Sequence, residues 1–199
     1  ETEEEFSSRM ANSLEELILA EGPETIGAFF AEPVMGAGGA IIPPKQYFVK
    51  IQQILEKYEI LFIADEVICG FGRTGRMWGS ETFDLKPDML SSAKALSAAM
   101  QPISALLINE KIFNVMVGQS SKLGAFAHGY TYAGHPVTSA VALEVLKIYE
   151  EMDLVSHISS ISPCFLGKIN EMKEHPLVCN ISGDGLICGV EVMRDGTKR

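Results

Sequence analysis

The sequence has no apolar run near the ~20 residues that a membrane-spanning helix requires; its longest candidates, such as Ile60–Ala64, are the size of a strand. Basic charge is scarce. Lys and Arg total 16 against 26 Asp and Glu, a formal charge of −10, and no Lys/Arg cluster marks a nucleic-acid footprint. The four cysteines (Cys69, Cys164, Cys179, Cys188) form no Cys-x-x-Cys pair and are too sparse for a disulfide scaffold, so they are read as reduced thiols of an intracellular protein, cytoplasmic or mitochondrial. No His/Cys/carboxylate set has metal-ligand spacing. Glu1-Thr2-Glu3-Glu4-Glu5 is neither an initiating Met nor the opening of a signal peptide, and the chain is read as a fragment. The disorder signature is absent too: 47% of the 199 residues are apolar and 21% charged, enough for a real core.

What is present alternates between helix and strand. Phe6–Ala20 has apolar residues at helical spacing and is broken by Gly22-Pro23. Ile26–Ala31 is a continuous apolar run, read as a buried strand, and Glu32–Gly39 is a loop. Tyr47–Tyr58 reads as a helix with Phe48, Ile51, Ile54 and Leu55 on one face, and Ile60–Ala64 as a second strand ending at Asp65. Gly70–Gly75 is a loop. Lys86-Pro87-Asp88 precedes the short apolar stretch Met89-Leu90, which leads to Lys94. Ile103–Ile108 is a further strand, Val137–Met152 an amphipathic helix, and a weaker helix runs from beyond Pro163 to about Lys173. Residues 177–193 read as strand, glycine turn, strand. Continuous apolar strands separated by helices imply an α/β protein, a mostly parallel sheet with helices on both faces. Ligands of such sheets gather at the carboxyl ends of the strands, where Glu32, Asp65 and Lys94 would converge.

Lys94 lies among small residues and away from other cations, a setting that suits a desolvated, nucleophilic amine, although taken by itself it reads as a solvated lysine. Gly70, Gly72 and Gly75 are not a P-loop, because no Gly-Lys-Ser/Thr follows. The ordered series Asp65-Glu-Val67, Gly70-Phe-Gly-Arg-Thr-Gly75, Lys86-Pro-Asp88 and Ala93-Lys-Ala-Leu-Ser97 resembles the class III pyridoxal-phosphate-dependent aminotransferases, of fold type I. The run Lys122–Pro136 narrows the likeness to the ω-amino-acid:pyruvate and plant-type 4-aminobutyrate transaminases.

The resemblance implies roles by position. Lys94 matches the lysine that forms the Schiff base with pyridoxal 5'-phosphate and then moves a proton as a base. Asp65 matches the carboxylate paired with the pyridine nitrogen, and Val67 the side chain packed on the ring. Thr131 matches the threonine that donates to the cofactor phosphate from the neighbouring subunit of a homodimer. Glu32 matches the glutamate of the Glu-Pro motif near the active site. His128 and His135 are read as hydrogen-bonded structural residues. Residues 1–153 would be part of the large, cofactor-binding domain, and 154–199 a linker helix and the beginning of a small α+β domain. The implied substrates are an amino donor, an ω-amino acid or amine, and a 2-oxo acid acceptor. Ala37 stands where glutamate-using members carry a second glutamate, and Ile68 where many bacterial 4-aminobutyrate enzymes have glutamine; both point to pyruvate as acceptor. Ser182 stands where many members carry arginine. A truncated, non-catalytic paralogue and a same-fold racemase or aminomutase are the alternatives.

Overall fold

The computed structural model is described over residues 1–193. Helix α1 (Glu3–Glu21) starts before the apolar periodicity does because Thr2 and Glu5 form a reciprocal cap: the Thr2 hydroxyl accepts the Glu5 N–H and the Glu5 carboxylate accepts the Thr2 N–H. Gly22, at φ +89°, ends it. Strand β1 (Ala28–Ala31), helix α2 (Tyr47–Lys57) and strand β2 (Leu61–Asp65) follow. A single turn of helix, α3 (Gly79–Thr82), precedes strand β3 (Met89–Ser92), and strand β4 (Ala105–Ile108) completes the sheet.

The order is β1-β2-β3-β4. β1, β2 and β3 run parallel, so their carboxyl ends share one edge. β4 returns antiparallel to β3. The core lies where α1 and α2 cover one face: Ala11, Ile18, Phe48, Ile51 and Leu55 pack on Ile60, Phe62 and Leu85. Phe48 stacks on Phe62 at 6.1 Å between ring centroids. Cover is thinner elsewhere. Phe30 on β1 and Leu106 on β4 are 56% and 60% exposed, so these strands lack the two-sided burial that their apolar runs imply.

The second half is helical. Asn109 caps α4 (Glu110–Leu123), accepting the Ile112 N–H, and no residue of α4 is buried. α5 (Pro136–Glu151) matches the expected amphipathic helix. α6 (Leu154–Glu171) corrects one reading: the helix does not begin after Pro163 but runs through it. Proline lacks an N–H, which frees the Ser159 carbonyl, and the Ser162 hydroxyl donates to the Ile158 carbonyl of the same turn.

β5 (Val178–Asp184) and β6 (Ile187–Val192) form an antiparallel hairpin, as expected. Its tip sits on the first half of the chain. The Leu186 N–H donates to the Arg73 carbonyl, and the backbone approach at Gly185, φ +58°, is so close that a Cβ would collide with Arg73 and Thr74. Ser182, the departure from the family pattern, donates its hydroxyl to the Gly39 carbonyl at 3.2 Å. Of the segment 154–199, expected to be a linker helix and the beginning of a small domain, residues 194–199 lie outside the described residues.

Candidate active site

Parallel pairing decides what meets. Asp65 closes β2 opposite Ser91 of β3, and Glu32 follows the last residue of β1, itself in register with Ala64. Lys94 lies two residues beyond the end of β3. The three expected residues thus occupy the carboxyl edges of three adjacent strands.

Asp65 is half-buried. Its Oδ1 accepts the Val67 N–H at 3.0 Å and the Ser91 hydroxyl at 3.2 Å. Oδ2 has no donor among the described residues. The carboxylate is therefore oriented through one oxygen and keeps the other for a partner. Val67 is half-buried beside it. Glu32 accepts the Gly36 N–H through Oε2 at 3.0 Å and so folds its own loop. Ile68 closes over that loop: a Cβ on Gly36 would lie 3.0 Å from Ile68 Cγ2.

Of the two readings that its small neighbours leave open, Lys94 takes the solvated one. It is exposed, with no ion-pair partner among the described residues, because Ala93 and Ala95 are too small to cover a four-carbon stem. The backbone is the tightly specified part. Lys94 has φ +45°, a left-handed conformation uncommon for a non-glycine residue. It opens the 3₁₀ turn Lys94–Ser97, which holds the conformation from several sides. The Lys94 carbonyl accepts the Ala99 N–H, Leu96 is buried against Phe71 and Ala142, and the Tyr149 hydroxyl of α5 donates to the Ala95 carbonyl at 2.8 Å. Burial raises the Tyr149 phenol pKa, and nearby Arg73 opposes that shift.

Thr131 is not brought to this edge. It lies in the turn after Tyr130, within a wholly exposed stretch from Lys122 to Gly134. His128 stacks edge-on between Phe126 and Tyr130, with centroids at 5.9 and 5.4 Å, and is not the hydrogen-bonded residue expected. His135 caps α5 through its backbone carbonyl, which accepts from the Thr138 hydroxyl and the Ser139 N–H. Its buried Nδ1 has no partner among the described residues.

Three residues have supporting contacts that the sequence does not announce. Glu66 is fully buried and accepts from the Gly79 N–H, the Ser80 N–H and the Ser80 hydroxyl. Burial pushes its pKa up, the bonds from Ser80 and Gly79 pull it back, and the Glu81 charge adds to the rise. Cys69 is fully buried and pairs with both the N–H and the carbonyl of Val34. Burial, reinforced by the charges of Glu66, Glu32 and Asp65 and opposed by the Val34 N–H, pushes its thiol up to about 12. Tyr149 is the third. A second carboxylate right after a strand was the available signal for Glu66; no local signal marks the other two.

A parallel sheet carrying an oriented carboxylate and an uncommitted amine at its carboxyl edge is an arrangement suited to holding a small ligand there. The chain belongs to the class-III aminotransferase family, whose model matches residues 1–199. It is 58% identical over 191 residues to the chloroplastic gamma aminobutyrate transaminase 3 of Solanum lycopersicum, covering 96% of this chain and 37% of that protein. It is 53% identical over 195 residues to the vanillin aminotransferase of Capsicum annuum, covering 98% and 42%. The omega transaminase of Pseudomonas jessenii in complex with PMP superposes with a TM-score of 0.93 at 54% identity, covering 96% of this chain and 42% of that one. The chain thus spans well under half the length of these relatives. Among the described residues, no helix is long and apolar enough to cross a membrane and no side-chain cluster could hold a metal ion.

Proposed function

We propose that the whole protein transfers an amino group from an ω-amino acid or amine, such as 4-aminobutyrate or β-alanine, to a 2-oxo acid with pyridoxal 5'-phosphate as cofactor. The observation that carries this reading is the placement of Asp65 and Lys94 at the carboxyl ends of β2 and β3. The residues fit the group. Asp65 Oδ2 is left to accept a ring N–H, and the Lys94 amine is committed to no carboxylate among the described residues. When bound, pyridoxal phosphate supplies an aldehyde that takes up amines and a ring that accepts electron density.

The chain's own residues supply the rest. Lys94 Nζ anchors the cofactor and, once displaced by an amino substrate, takes the proton from the substrate carbon bearing nitrogen. Asp65, through Oδ2, holds the proton on the ring nitrogen. Val67, two residues on, packs the ring face. Glu32 shapes the neighbouring loop through Gly36. Thr131 donates its hydroxyl to the phosphate in a partner subunit, which its exposed turn supports, and the active form is a homodimer. Residues 1–153 form part of the large domain, and 154–199 the linker helix and the start of the small one. Pyruvate is the acceptor: Ala37, exposed in the loop after Glu32, offers no carboxylate to gate an arginine. The name of the tomato relative places that protein in the chloroplast, and an intracellular location for the whole protein, in cytoplasm or mitochondrion, is part of the proposal.

The test is direct. Full-length protein is loaded with pyridoxal phosphate, reduced with borohydride and mapped by mass spectrometry. A single adduct at Lys94 is expected, and an adduct elsewhere refutes the assignment. Comparable rates with pyruvate and 2-oxoglutarate would remove pyruvate as the preferred acceptor.

A further inference from the structure

Glu66 is the one fully buried carboxylate among the described residues, and the reaction proposed above leaves it without a task. It stands between Asp65 and Val67. Its side chain points away from them into the protein, where Oε2 takes the Gly79 N–H at 2.9 Å and Oε1 takes the Ser80 N–H at 2.6 Å and the Ser80 hydroxyl at 2.5 Å. Its main chain is fixed as well: the N–H donates to the Ser91 carbonyl of β3 and the carbonyl accepts the Gly70 N–H. The surface that receives it leaves no slack. A Cβ on Gly79 would lie 2.7 Å from Cys69 Cβ and 2.9 Å from Pro33 Cβ, and one on Gly70 would lie 2.8 Å from the Glu66 carbonyl oxygen. Glycine at both positions lets the turn after β2 press against Gly79-Ser80.

A buried carboxyl group is tolerated only when its oxygens are hydrogen-bonded, so Glu66 and its three donors hold one another in place. Asp65 is fixed by a different and weaker set: Ser91, and the Val67 N–H from the far side of Glu66. The Val67 amide can orient Asp65 only while the intervening residue does not move.

We infer that Glu66 is a positioning residue whose buried carboxylate, clamped by Gly79 and Ser80, fixes the turn that carries Asp65 and Val67 and so sets where both meet the cofactor. This rests on the aminotransferase reading above.

The test compares full-length wild type with Glu66→Gln and Ser80→Ala. The glutamine is isosteric, but its NH2 must face one of the three donors, so one of them loses its acceptor. Three quantities are read: amide exchange in the apo-protein, pyridoxal phosphate affinity, and the pH titration of the bound cofactor's absorbance. In Glu66→Gln, about tenfold faster exchange is expected at Val67 and Gly70, with the β2 amides unchanged, together with about tenfold or greater weakening of cofactor binding and a displaced absorbance titration. Ser80→Ala keeps the backbone donors and should move the same quantities by about threefold. A merely structural Glu66 would lower the melting temperature and leave affinity and titration in the folded protein at wild-type values; that result overturns the proposal. Should Glu66→Gln not fold, Ser80→Ala decides by the same criteria. Failure of the wild type itself to form the Lys94 adduct would instead refute the aminotransferase reading, and the role of Glu66 with it.

Discussion

Asp65→Asn separates the charge of the site from its architecture. Asn keeps a carbonyl oxygen, which can accept the Val67 N–H and the Ser91 hydroxyl as Oδ1 does now, at 3.0 and 3.2 Å. Both bonds survive and no cavity opens, so the apo-protein's stability should change by less than about 0.5 kcal/mol. What changes is the second oxygen, which becomes an NH2 donor facing the ring nitrogen. A hydrogen bond to a charged group contributes about 1.5–3 kcal/mol net, so its loss should weaken cofactor binding by about 10- to 150-fold. Turnover should fall further, because a ring nitrogen without its proton is a poorer electron sink. The assay pairs thermal melting of apo-protein with fluorescence titration of pyridoxal phosphate and single-turnover kinetics with 4-aminobutyrate. An Asn variant with wild-type affinity and turnover within about threefold of wild type would refute the assignment of Asp65 to the ring nitrogen. A variant whose loss of activity is matched by lost stability would refute the claim that its two bonds carry over.

Three further outcomes follow from the packing and the cysteines. Ile51→Ala empties a site 1% exposed at the centre of the α1–α2 core and should cost about 2–5 kcal/mol by denaturant titration, with no change in the Lys94 adduct once folded. Cys164 is exposed and should alkylate first, while Cys69 stays unlabelled in native protein. Because Cys69 keeps its proton up to about 12 when folded but releases it nearer 9 when unfolded, the folded state binds more protons across that window and stability should fall there as pH rises. Cys69→Ser should remove that part of the alkaline slope.

The sheet was legible where burial was continuous. Ile60–Ala64 reads as a strand because both of its faces are apolar, and the parallel register then puts Asp65 and Glu32 on one edge. The glycine turn of the last hairpin was equally plain. α4 was not seen: none of its apolar residues is buried among the described residues, Phe113 and Val115 being 54% and 60% exposed, so they fall into no core-facing pattern. Asn109 was its one local mark. Pro163 misled because proline usually breaks a helix, whereas α6 continues through it and leaves the Ser159 carbonyl without a helical donor. At the site, the sequence order named the chemical groups but not their supports. Glu66, Cys69 and Tyr149 act across 13, 35 and 54 residues of chain, and no local pattern encodes such pairings.

The left-handed backbone of Lys94 bears on how this protein would respond to engineering. A lysine at φ +45° sits in a conformation that costs an L-residue on the order of 1–3 kcal/mol and glycine almost nothing. A library screened for thermal tolerance alone would favour glycine at position 94 and drift toward robust, inert molecules. Selection must therefore score turnover beside heat resistance, since at this position the two objectives pull in opposite directions.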